Sequence, residues 1–113
     1  MSSLNFNGGS LPSTRKIPAV NSSHGKVLYA LGLYGSQTAR ELVIRTGFCG
    51  AQERANELKS KFYLPIAKGS KLIQMETGRN VYVTTYSIDW NYISFNDLQD
   101  FMCRAKMFYG DLD

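Results

Sequence analysis

Gln52, Arg54 and Asn56 stand at alternate positions in one short stretch, and each carries the donor and acceptor groups that read base edges. An Arg can give two hydrogen bonds to guanine, and an Asn or Gln can exchange two with adenine. Each is equally at home on a solvent-exposed helix. Arg54 has a further alternative, because Glu53 and Glu57 lie beside it and either could pair with it on one helix. Around these three stand residues suited to phosphate oxygens: Thr38, Arg40, Lys59 and Lys61 close by, and Lys68, Lys71 and Arg79 further on. Phosphate contacts position a protein without reading sequence. Glu53 and Glu57 oppose this use. A carboxylate repels phosphate, although a Glu can accept from cytosine N4.

The charge is unevenly distributed. Residues 26–80 hold nine basic and four acidic side chains, a net +5, whereas residues 81–113 carry −3. A basic middle suits a polyanion and an acidic end does not. Catalytic and metal chemistry find little material. There is one histidine, His24, and the two cysteines, Cys49 and Cys103, form no CxxC. A zinc site takes about four such ligands, so neither a metal nor another cofactor is expected. Asp97 and Asp100 lie one turn apart, but capping and solvation account for them. No phosphate-cradling loop occurs, and the chain is not expected to be an enzyme. Two buried free thiols in a reducing compartment are the expectation for Cys49 and Cys103, with a disulfide as the alternative. No apolar run approaches the roughly 18 residues of a membrane span. The opening "MSSLNFNGGSLPSTRK" has no apolar block behind a basic start, so a cytoplasmic location follows.

The elements that must hold the basic residues can be traced along the chain. Residues 1–22 are rich in Ser, Asn, Gly and Pro and read as a flexible tail, with Arg15 and Lys16 able to touch phosphate. In "SHGKVLYALGLYG", Val27, Leu28, Ala30, Leu31 and Tyr34 repeat at helical spacing, which predicts a helix over 24–34 ending at Gly35. Gly32 weakens that helix by roughly 1 kcal/mol relative to Ala, so a closely packed neighbour is expected there. Thr38 and Glu41 have capping-box spacing at the start of a second helix, which Gly47 can end. Phe48 should turn back into the core. A third helix is predicted over 50–61, with Ala51, Ala55 and Leu58 inward. Beyond it "FYLPI" is a short edge or turn segment because of Pro65. "SKLIQME" and "NVYVTTYSI" read as strands joined at "TGRN", a hairpin with Arg79 at its tip. Ser94 and Asp97 cap a fourth helix over 95–109, whose inward stripe is Leu98, Phe101, Met102, Ala105, Phe108 and Tyr109.

Residues 26–86 resemble the winged helix-turn-helix domains common in bacteriophage genomes. The resemblance rests on "TARELVIRTG", "ERANELKSK", "YLPI" and "GRNVYVTTY", separate pieces in the order of that group. The chain departs from the pattern at Leu64, which stands between Tyr63 and Pro65, and at Ala55, where the group often has a larger aliphatic residue. The acidic C-terminal helix is also outside the pattern. The resemblance implies an α+β fold of three helices plus a β-hairpin wing, with an additional C-terminal helix. It divides the chain into a tail (1–22), a winged domain (23–88) and an extension (89–113). It also implies double-stranded DNA as the partner and a phage or prophage regulator acting in the bacterial host cytoplasm. On that reading Gln52, Arg54 and Asn56 face bases, Thr38, Arg40, Lys59 and Lys61 face phosphates, and Arg79, with Lys68 and Lys71, serves the wing. The alternative is a module that binds a host or phage protein through its acidic, aromatic-rich end. RNA binding is a weaker third possibility. The C-terminal helix could pack on its own domain or form a homodimer seam.

Overall fold

Each of three helices begins where the sequence offers a hydrogen-bonding side chain just ahead of it. Helix α1 (Ser23–Tyr34) starts at Ser22, whose hydroxyl accepts from the Gly25 N–H. Helix α2 (Ala39–Thr46) starts at Thr38 and α4 (Phe95–Tyr109) at Ser94, both through complete capping boxes with Glu41 and Asp97. Helix α3 (Ala51–Ser60) has no side-chain cap. The four-residue turn before it holds it instead: Gly47 takes φ 79°, a left-handed value that suits glycine, and its N–H closes onto Val43. Phe48 then packs partly buried against the core. The Lys26 ammonium lies 5.4 Å from the rings of both Phe48 and Tyr109, tying the turn and α4 to α1.

The computed structural model describes residues 15–112. Its architecture is α+β, four helices with a three-stranded antiparallel sheet. Strands β2 (Ile66–Gln74) and β3 (Asn80–Ile88) form the hairpin, in register from Ile66 opposite Ile88 to Gln74 opposite Asn80. A two-residue strand β1 (Gln37–Thr38) pairs with the other edge of β3, Gln37 opposite Tyr86 and Thr38 opposite Thr85. The sheet order is therefore β1-β3-β2. This anchors the first turn of α2 directly to the base of the hairpin. Gln37 is buried there, its amide nitrogen donating to Ala30 O at 2.8 Å.

One core joins all the elements. Val27, Leu28, Tyr29 and Leu31 of α1 meet Leu42 of α2, Ala55 and Leu58 of α3, Tyr86 and Ile88 of β3, and Leu98, Phe101 and Ala105 of α4. Burying each such Leu contributes about 1.5–3 kcal/mol, enough to fix the angle of α3. Gly32 has the neighbour expected for it. A Cβ there would stand 2.8 Å from Met102 Sδ and Cε, so an alanine at this position would require the flexible end of Met102 to shift. Tyr29 and Tyr34 give their hydroxyl protons to Gly110 O and Asp111 O, and Tyr109 gives its own to Val20 O at 2.6 Å.

Four details differ from the sequence reading. Phe108 is 62% exposed, because it lies at the margin of the α4 stripe and stacks edge-on against Tyr109 rather than entering the core. Strand β2 begins at Ile66 rather than Ser70, directly after Pro65, whose carbonyl accepts from Asp89. Cys49 and Cys103 are both free and exposed, neither buried nor bonded. Residues 1–14 of the expected tail lie outside the described residues. Residues 15–22 run against the body: Pro18 is buried, Val20 packs on the core, and the Lys16 N–H donates to Phe62 O. Arg15 is likewise occupied, donating to Tyr92 O.

Candidate nucleic-acid interface

Ala51, Ala55 and Leu58 bury one face of α3, which leaves two flanks and an outer face to solvent. The flank facing α1 carries Arg54 and Glu57, with Lys61 at the C-cap. Glu57 Oε1 accepts from His24 Nε2 at 2.7 Å and from Arg54 at 3.1 Å, and its Oε2 lies 3.1 Å from Lys61 Nζ. A carboxylate can only accept, so the His24 proton sits on Nε2. The His24 ring also packs at a tilt on Phe62, with centroids 4.9 Å apart. Arg54 completes the cluster by donating through Nε to Ser23 Oγ at 3.0 Å. These donors, first His24 and then Lys61, hold the Glu57 carboxyl down to about 2.

The cluster changes the standing of two candidates and of one opposing carboxylate. Arg54 is occupied by Ser23 and Glu57 and is not presented for base reading. Lys61 is paired with Glu57. The charge of Glu57, one of the two carboxylates that oppose α3 as an anion-facing helix, is compensated within the protein. Glu53 stays exposed on the outer face.

The opposite flank is different. Gln52 and Lys59 are exposed, and neither has a hydrogen bond or ion pair among the described residues. Asn56 lies between the flanks, half-buried, with its Oδ1 covered and without a protein partner. A two-bond contact with adenine needs both amide atoms in the groove, so Asn56 is not placed for it.

Thr38, Arg40 and Glu41 stand in the first turn of α2. The Thr38 hydroxyl is committed to the capping box, accepting from the Glu41 N–H at 3.2 Å, while Glu41 Oε1 accepts from the Thr38 N–H at 2.8 Å. Glu41 is held below the usual carboxylate range by that backbone hydrogen bond and, less strongly, by Lys71. Lys71 lies 3.6 Å from Glu41, an ion pair that ties the hairpin to α2. Arg40 is exposed and makes no ion pair among the described residues.

Strand alternation separates the two hairpin lysines. Lys68 shares a face with Tyr86, its ammonium 5.7 Å from the ring centroid. Lys71 lies on the other face, with Ile73, Val81 and Val83. Arg79 is exposed at the tip, where Gly78 has φ 85° and the Met75 N–H donates to Arg79 O at 2.7 Å. The face bearing Lys71, the first turn of α2 and Gln52 of α3 together line a cleft of about 630 Å³.

The sequence reading missed the stacking of the Arg45 guanidinium on the Tyr34 ring, 3.6 Å from its centroid. It also missed His24 as the partner of Glu57. No local signal marks that pair, whose members stand 33 residues apart. Among the described residues no three of His, Cys, Asp or Glu gather closely enough to hold a metal ion, and no helix is long and apolar enough to cross a membrane. In comparisons with known proteins, no family model matches the chain, and neither a curated protein nor a solved structure matches it.

Proposed function

We propose that the chain is a winged helix-turn-helix protein that binds double-stranded DNA, a regulator of phage type. The observation that carries this reading is the shared cleft. The first turn of α2, the first turn of α3 and the inner face of the hairpin border one space, the juxtaposition in which a recognition helix enters the major groove beside a wing. In this arrangement α2 crosses the backbone, with Arg40 on a phosphate. The free flank of α3 enters the groove, with Gln52 toward bases and Lys59 toward phosphate. Arg79, at the hairpin tip, meets the backbone or the minor groove. The compensated Glu57 removes one repulsion from α3. Lys68 and Lys71 add positive potential, while Arg54, Asn56, Lys61 and Thr38 support the helices that carry these contacts.

Selection of duplexes from a random pool at near-physiological salt tests the proposal. The expected result is an enriched site whose binding weakens steeply with added salt. Failure to bind any duplex at low salt overturns it. The symmetry of the recovered site also reports on self-association, since a dimer reads an inverted repeat.

A second reading has its own support. Trp90, Tyr92, Phe95, Met107 and Phe108 are exposed in the C-terminal part, a surface suited to a host or phage protein. Retention of such a partner after nuclease treatment, lost on Phe95→Ser and Phe108→Ser substitution, supports that reading.

A further inference from the structure

One wall of the cleft is unlike a phosphate contact. Ile73, Val81 and Val83 are partly buried there and keep some surface open to it, and Met75 beside them is exposed. Phosphate oxygens gain nothing from such side chains, whereas an apolar guest removes them from water. The volume, about 630 Å³, falls within the roughly 300–1,000 Å³ of small-molecule sites, which combine apolar walls with a few polar groups. The polar groups here are unequal. Glu41 is already held by Thr38 and Lys71. Arg40 and Gln52 line the same cleft with no hydrogen bond or ion pair among the described residues. The unbalanced charge at the rim is therefore positive.

We infer that this cleft binds a small amphipathic anion, its apolar body against Ile73, Val81 and Val83 and its acidic head on Arg40 and Gln52. A carboxylate matches the fork of a guanidinium, and the amide of Gln52 can donate a further hydrogen bond. The guest takes up two of the proposed DNA contacts. Its effect on duplex binding is therefore competitive, and that part alone rests on the DNA-binding reading.

The test is a titration of the nitrogen-15-labelled 113-residue chain with decanoate, and separately with decanol, each below its aggregation limit. Decanoate is expected to shift the amide signals of Arg40, Gln52, Ile73 and Val83 in a saturable way. Decanol should bind roughly tenfold more weakly. Arg40→Ala should bring decanoate down to the level of decanol, because the exposed Arg40 supports no packing. The absence of saturable shifts at these residues overturns the inference, as does decanol binding as tightly as decanoate, or an Arg40→Ala protein with unchanged decanoate affinity. A parallel measurement adds decanoate to a bound duplex, where release of the duplex is expected. A chain that takes up decanoate at the cleft but binds no duplex removes the DNA-binding reading and leaves the ligand site standing.

Discussion

Arg54 and Lys61 on one side of α3, and Gln52 and Lys59 on the other, are equivalent candidates by residue type. Their surroundings separate them. The first pair faces the N-terminal turn of α1, where Glu57 gathers His24, Arg54 and Lys61 around one carboxylate. The second pair faces solvent with no protein partner among the described residues, and Gln52 also lines the cleft. A polar side chain with its hydrogen bonds already made must break them before it can serve a ligand, whereas an unengaged one need only shed water. The flank toward α1 thus helps hold the helix in place, and the opposite flank is left unengaged by the protein.

The comparison breaks most visibly under removal of the unengaged cations. A chain with Arg40→Ala, Lys59→Ala and Arg79→Ala should lose about 10²–10³-fold in duplex affinity at low salt. The slope of log affinity against log salt should become shallower by about 0.9 for each phosphate that is no longer neutralised. Binding titrations at several salt concentrations measure both, and an unchanged slope would mean that other side chains meet the phosphates.

Gln52→Ala should leave bulk affinity within a few fold but relax preference at one base pair. A good two-bond amide contact discriminates by about 1–3 kcal/mol, roughly 5- to 150-fold. Repeating the duplex selection with the variant reads this directly. If the recovered site is the same at every position, Gln52 is not a base reader.

Arg54→Ala should do the reverse. The Ser23 and Glu57 hydrogen bonds disappear, the thermal midpoint falls, and, on the DNA-binding reading proposed above, duplex affinity changes by less than about threefold once the protein is folded, because the guanidinium is already engaged within the protein. A loss of affinity matching that of Lys59→Ala, with no loss of stability, would erase the distinction between the flanks.

Much of this fold is legible from short-range chemistry. The capping pairs Thr38–Glu41 and Ser94–Asp97 act over three residues, and both form as expected. Strand β3 covers the nine residues of "NVYVTTYSI", whose β-branched and aromatic content marks it. What escapes notice is long in range or short in length. Strand β1 has two residues, too few for any alternation, although it fixes α2 to the hairpin. Phe108 keeps the spacing of the buried stripe, but nothing in the stripe records where the neighbouring elements stop covering it. The same limit applies to the site. Residue type nominated Arg54 and Gln52 alike, and only the fold brings Ser23 and His24 up to the flank that carries Arg54.

The smallest effect follows from the carboxylate at the centre of the first flank. Glu57 is held down to about 2 from an ordinary 4.5, chiefly by the hydrogen bond from His24. In the unfolded chain it takes up a proton near the ordinary value, and in the folded chain only at much lower pH. Between these values unfolding binds a proton, so acid favours the unfolded state. The stabilisation is fully present above about pH 4.5 and declines as pH falls toward 2. Half-exposed ion pairs are individually weak and screened by salt, so the decline is modest and shrinks at high ionic strength. Urea unfolding of the native chain and of Glu57→Gln across this interval measures it. The native chain should lose stability more steeply with acid, and the difference between the two curves should narrow toward pH 2. Parallel curves would mean that Glu57 titrates alike in both states, and that the flank toward α1 is held by packing on Phe62 rather than by its charges.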